Sequence, residues 1–277
     1  MKLVIAVLFL MAPVLSYAEA PKRIVSIGGA LTEIIYALGE SSRLVGSDTT
    51  SIYPEAALEL PKVGYQRALA VEGILSLDPD LIMLTDAAGP PKVLKQLEST
   101  GIQILKVKSG RSIDDVKANI KMIGSALDRS ASADKLISKL DVENKQLVEL
   151  KQALSEHKTV MFVLQHGGGA PMVAGSETAA DSIIKLSGGQ NVVTAYTGYK
   201  PLTPEAAVAL KPDVILITQQ GLDQVGGKQQ LLKAPGLSLT PAAEQGNVIA
   251  FDSLLLLGFG PRTVEAAIAL SKAYTQL

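Results

Sequence analysis

The chain has 277 residues, 4% aromatic content, no tryptophan, no cysteine and a formal net charge of −1. The missing cysteine excludes disulfides, thiolate metal sites and a cysteine nucleophile, and the near-neutral charge leaves no electrostatic footprint for nucleic acid. The length is ample for one or two packed domains. Residues 1–18 place Lys2 ahead of an apolar run from Leu3 to Leu15 and then Ser16-Tyr17-Ala18. This is the pattern of a secretory signal peptide cut after Ala18, and the run is short for a membrane span. Without these residues, which carry one lysine and no acid, the formal charge is −2. The mature chain is therefore expected to be soluble and exported.

RIVSIG (23–28) predicts a buried strand leading into a helix near Ala30, and RLVGS (43–47) a second strand. DLIMLT (80–85) and QILKV (103–107) follow, separated by a helix at 91–100. Strands alternating with helices argue for a parallel α/β sheet covered on both faces. From Ala131 to His157 there is no glycine or proline, and Leu136, Leu140, Leu147, Leu150 and Leu154 recur at helical spacing. Such a helix would be about 40 Å long at 1.5 Å per residue, longer than one small domain needs, so it reads as a spine between two lobes. TVMFVLQ (159–165), DVILIT (213–218) and NVIAF (247–251) then predict a second α/β series. The expected organisation is a signal peptide at 1–18, an N-terminal lobe at 19–129, a spine helix at 130–157 and a C-terminal lobe at 158–277.

The two halves echo each other. EGILSLDPDLIMLT (72–85) and EAAVALKPDVILIT (205–218) share the glutamate, a leucine, Pro-Asp, an isoleucine and the threonine at a constant offset of 133. Each copy describes a short helix, a Pro-Asp turn and a buried strand. Two related lobes imply a cleft between them, where ligands commonly sit.

Few residues can carry chemistry. His157 lies at the polar end of the spine helix, where a solvated histidine near a helix C-terminus is the simpler reading. His166 follows the strand TVMFVLQ and opens into GGGAP, at the strand edge where open α/β sheets place ligands. Tyr65 stands in VGYQR just before a helix starting near Val71. Arg67 is close enough to hydrogen-bond its phenolate, and a nearby cation favours the charged form. Tyr199-Lys200 occupies the corresponding place in the second half. A phenolate oxygen suits ferric iron, including haem iron, but a packing role for a tyrosine after glycine stays open. The glycine pairs fit neither GxGxxG nor GxxxxGK[ST], which excludes a nucleotide cradle. No GxSxG, HExxH or paired-acid arrangement is present, and an exported hydrolase using His166 as base lacks a nucleophile beside it.

RIVSIGGALTEIIYALG, VGSDTTSIYP, LDPDLIMLT, the central spine and LKPDVILIT together resemble the periplasmic binding proteins of iron-complex and cobalamin ABC importers, over essentially all of residues 21–277. Within that superfamily, VGYQRALAVEGILSL and LQHGGGAPMVAGSETAADSII resemble the haem-binding proteins of bacterial haem-uptake importers. The resemblance implies two Rossmann-like lobes with haem held between them, and no catalysis. It implies Tyr65 as a ligand of ferric haem iron, Arg67 supporting the phenolate, His166 as a second iron ligand, and Arg262 near a propionate, where a helix-start role is an equal reading. Tyr199 is a weaker supporting candidate. Glu72 and Glu205, which open the duplicated segments, match the acids that dock each lobe on an inner-membrane permease; favourable placement at a helix N-terminus would also produce an acid there, but both copies keep it while most other charges differ, which favours docking. An outer-membrane haem receptor would stand upstream. Ferric siderophores or cobalamin are the alternatives within the superfamily, although siderophores call for clustered arginines and a corrin for apolar, often tryptophan-rich walls. A zinc or manganese site would need more histidines and carboxylates than the chain offers.

Overall fold

The computed structural model describes residues 20–165 and 171–277. The first sheet is built from β1 (Ile24–Ile27), followed by α1 (Gly29–Ala37), and β2 (Leu44–Ser47). A hairpin of β3 (Gly64–Tyr65) and β4 (Ala68–Leu69) leads to α2 (Val71–Leu75), β5 (Leu81–Thr85), α3 (Pro91–Glu98) and β6 (Gln103–Val107). Helix α4 (Ile113–Ala126) closes this lobe and α5 (Ser130–Gln152) leaves it. The second lobe runs through β7 (Thr159–Leu164), β8 (Met172–Ala174), α6 (Ala179–Leu186), β9 (Gln190–Asn191) and β10 (Tyr199–Pro201). It continues with α7 (Pro204–Leu210), β11 (Val214–Thr218), α8 (Gln219–Gln224), α9 (Lys228–Leu232) and α10 (Pro241–Gln245). β12 (Val248–Phe251), α11 (Ser253–Leu257) and α12 (Thr263–Tyr274) end the chain.

The first sheet has the order β2-β1-β5-β6 and is parallel throughout, with Ile24 opposite Leu81 and Leu81 opposite Gln103. The second has the order β10-β8-β7-β11-β12, with β9 beside β7. Here β7, β11 and β12 are parallel, and β8 and β10 form an antiparallel edge. The apolar runs are continuous because both faces are covered. Leu81 and Met83 join the central core while Ile82 and Leu84 join a separate outer cluster; Val214 and Leu216 against Ile215 and Ile217 repeat the division. Alternation of side chains across a strand produces it.

The central core is shared by both lobes through α5, whose Leu140 and Leu147 are buried between them. The helix is about 34 Å long at 1.5 Å per residue and ends at Gln152, five residues short of His157. The chain turns there because Leu154 packs toward Gly188 and His157 Nδ1 hydrogen-bonds the Gly188 carbonyl at 2.8 Å. His157 is thus an exposed residue beyond the helix end.

The duplicated segments adopt the same structure. Asp78 and Lys211, equivalent at the offset of 133, both take positive φ, 45° and 43°, immediately before the proline. The next equivalent pair, Asp80 and Asp213, receives backbone N–H groups at the start of the neighbouring strand. Lys22 and Arg23 donate to Asp80 at 2.7 and 3.0 Å, and Thr159 donates to Asp213 at 2.8 Å. The Pro-Asp turn is therefore a device that sets strand register in both lobes.

Candidate ligand-binding site

Tyr65 sits on a short hairpin fixed to the C-terminal end of β5. Gly64 has φ 99°, a left-handed conformation that glycine adopts freely, and its carbonyl accepts from Thr49 N–H at 2.9 Å. Gln66 and Arg67 form the two-residue loop, with Tyr65 opposite Ala68. The loop is held from below: Gly89 N–H donates to the Gln66 carbonyl at 2.9 Å, Leu69 N–H to the Gly89 carbonyl at 3.0 Å, and Thr85 Oγ1 to Gln66 Oε1 at 3.1 Å. Tyr65 itself is 41% exposed. Its phenol oxygen accepts a hydrogen bond from Arg67 Nη1 at 2.5 Å, with the guanidinium carbon 5.8 Å from the ring centre. The arginine is thus aimed at the oxygen and leaves the rest of the phenol open. Chemically this is a hard oxygen donor hydrogen-bonded to a guanidinium.

Tyr199 comes from the other lobe. It lies on edge strand β10, with its ring edge-on to Phe162 at 6.5 Å between centres. Its phenol lies near the Thr178 side chain and the Ala180 backbone at the start of α6. Burial pushes the phenol above its ordinary range, and the charges of Arg111 and Arg67 pull against that shift without cancelling it. Both arginines belong to the first lobe, so their charges reach Tyr199 across the lobe junction. Lys200 does not copy Arg67: its ammonium lies over the ring of Tyr196, 4.6 Å from the centre, because successive strand residues point to opposite faces.

Arg262 has different neighbours. Its Nε and Nη2 donate to the two carboxylate oxygens of Glu33 at 2.9 and 3.0 Å, and its guanidinium stacks on Tyr53 at 3.4 Å from the ring centre. Glu33 lies on α1 and Arg262 caps α12, so the pair bridges segments 229 residues apart. Burial raises the Glu33 carboxyl above the usual range despite the opposing bonds and charge of Arg262. For Arg262, burial is more than offset by Glu33, which holds the guanidinium charged. Glu33 is thus easier to protonate than an exposed glutamate. A cavity of about 320 Å³ lies beside it, bordered by Tyr36, Tyr53, Leu136 and Lys139.

Glu72 and Glu205 are both exposed in the first turns of α2 and α7. His166 lies outside the described residues. Among the described residues no group of three or more histidine, cysteine or acidic side chains could hold a bare metal ion.

The residues around Arg111 drew no notice in the sequence. Their signal was Ser112 followed three residues later by Asp115, a capping pattern that starts α4 just past a strand. Ser112 Oγ does accept from Asp115 N–H, at 3.1 Å.

The sequence profile described as "Periplasmic binding protein" matches residues 24–255. The chain belongs to that family. Among solved structures, the periplasmic heme-binding protein RhuT from Roseiflexus sp. RS-1 is similar at 39% identity and a TM-score of 0.89, over 92% of this chain and 98% of that one. The periplasmic heme-binding protein BhuT, solved with two hemes, is similar at 41% identity and a TM-score of 0.87, over 92% and 98%. The Bacillus subtilis (strain 168) ABC transporter substrate-binding lipoprotein YvrC is 31% identical over 92% of this chain and 80% of its own length. Family membership makes this chain a binding component of transport and not an enzyme, with two α/β lobes on a helical spine.

Proposed function

We propose that this protein captures haem in the periplasm and hands it to an inner-membrane ABC permease. The observation that carries the reading is the Tyr65 phenol, exposed on a braced hairpin with Arg67 Nη1 at 2.5 Å, in a chain 39% and 41% identical to proteins described as heme-binding. In this reading the Tyr65 oxygen takes ferric iron, Arg67 supports that oxygen through its hydrogen bond, and His166 is the other iron ligand, from the second lobe. Tyr199 borders the ligand from β10. Arg262 supports the ligand indirectly, through the Glu33 bridge that fixes the lobes. Burial of the porphyrin faces supplies most of the affinity, at ~25 cal/mol per Å² before ordering costs.

The lobes at 19–129 and 158–277 then dock on the two permease subunits through Glu72 and Glu205, whose exposed charges favour register and association rate over affinity. Residues 1–18 are the export signal, removed after Ala18, and an outer-membrane receptor delivers the haem. The test is an absorbance titration of the mature protein with hemin. A saturable Soret band supports the reading and its end point counts the haems. An unsaturable, protein-independent change, with saturable uptake of a ferric siderophore or cobalamin instead, would move the protein to another cargo.

A further inference from the structure

The second interlobe cavity, about 480 Å³, carries a cation that the fold does not use. It is bordered by Arg111 ahead of α4, Asp114 in its first turn, Asn144 and Lys151 on α5, and Ser182 and Lys185 on α6. Lys185 is paired with Asp181 at 2.8 Å, and Lys151 reaches the Lys185 carbonyl at 3.4 Å. Elsewhere at the junction, Arg67 is aimed at Tyr65 and the fork of Arg262 is occupied by Glu33. Among the described residues, Arg111 has no carboxylate within 4 Å and its guanidinium makes no hydrogen bond.

Its backbone, by contrast, is held tightly. Arg111 N–H donates to Asp115 Oδ2 at 3.0 Å, Ser109 N–H to Asp86 Oδ1 at 2.9 Å, and Asn119 Nδ2 to the Lys108 carbonyl at 2.8 Å. Gly110 is pressed under Phe259, where an added Cβ would lie 2.9 Å from the Phe259 Cβ. A rigid turn at the C-terminal end of a parallel strand thus presents an uncommitted guanidinium toward the opposite lobe, at the edge where such sheets bind ligands. Arginine in that position matches a carboxylate by two parallel hydrogen bonds.

We infer that Arg111 is the carboxylate anchor of the cleft, taking a propionate of the tetrapyrrole whose iron is held by Tyr65. This rests on the haem reading and adds the residue that makes the site select for a free acid. Arg111 orients the macrocycle from the junction between the lobes, a role that Arg262 cannot fill while it is bonded to Glu33. Tyr199, within electrostatic reach of Arg111, lines the same approach from the second lobe.

The experiment measures the affinities of hemin and of hemin dimethyl ester, in which both propionates are masked, for the wild type, Arg111→Gln and Arg111→Lys. The wild type is expected to prefer hemin. Arg111→Gln should lose about 10- to 100-fold for hemin, the range of a charge-assisted hydrogen bond, and nothing for the diester. Arg111→Lys should recover part of the preference as a point charge without the fork. Thermal midpoints of the variants should equal the wild type's, since the side chain makes no bond within the fold. Unchanged hemin affinity in Arg111→Gln, or equal losses for hemin and diester, overturns the anchor and leaves the haem reading standing. A wild type that takes up neither compound overturns both.

Discussion

Among the described residues, two arginine–tyrosine pairs are built in opposite ways. At Tyr53, Arg262 lies flat over the ring at 3.4 Å and gives its fork to Glu33, which is 4% exposed. At Tyr65, Arg67 stands at the phenol oxygen at 2.5 Å, while the two tyrosines themselves are equally exposed, Tyr53 at 42% and Tyr65 at 41%. In the first pair the guanidinium gives two hydrogen bonds to a buried carboxylate, so the arrangement holds two distant segments together. In the second, the guanidinium bonds the phenol oxygen itself and ties Tyr65 to no distant segment. Residue type alone does not separate structure from function here; the direction of the guanidinium does.

The largest expected effect comes from breaking the buried pair. Arg262→Ala leaves the Glu33 carboxylate buried without a partner and should destabilise the protein by about 3–5 kcal/mol, read from denaturant unfolding. Arg262→Lys should recover only part of this, because an ammonium cannot supply the two parallel bonds. Arg67→Ala should do the reverse: stability within about 0.5 kcal/mol of wild type, as for an exposed site, with hemin affinity lower by about 10- to 100-fold, the range for a residue orienting a metal ligand. If Arg67→Ala proves the more destabilising variant, the distinction between the pairs collapses.

The pH dependence sharpens the contrast further. The Glu33 carboxyl is raised above its ordinary value of 4.5 by burial, so the folded state holds this proton more tightly than the unfolded chain. Its contribution to stability is fully present below about pH 4.5 and is lost as pH rises through the raised folded value. The difference in unfolding free energy between wild type and Glu33→Gln should therefore change across that window in the sense of wild type weakening with rising pH. A flat difference would mean that Arg262 cancels the burial cost completely. The smallest effect is expected at Tyr53→Leu, which removes the stacking surface and should cost ~1 kcal/mol with no change in hemin affinity.

Much of this architecture is legible in residue order, and the reason is local. DLIMLT and DVILIT are continuous apolar runs bounded by Pro-Asp, and their duplication extends to the positive φ of Asp78 and Lys211. The α5 spine is legible because its leucines recur on one face, although its end was set by a tertiary contact, His157 with Gly188. What escaped the sequence is what depends on distance along the chain. Glu33 and Arg262 are 229 residues apart, so a propionate-pairing reading of Arg262 had nothing to weigh it against the buried carboxylate. The hairpin carrying Tyr65 is made of two-residue strands, too short to show any periodicity. Arg111 was invisible because its importance lies in lacking a partner, which no sequence pattern reports.

The central claim is that the Tyr65 oxygen takes the iron. The most direct test is the absorption spectrum of the hemin-loaded wild type beside that of Tyr65→Phe, which keeps the ring and removes only the donor. The account predicts tyrosinate-to-iron charge-transfer absorption in the wild type, its disappearance in Tyr65→Phe and weaker hemin retention by the variant. An identical spectrum and unchanged affinity in Tyr65→Phe would contradict it and transfer the iron to another ligand.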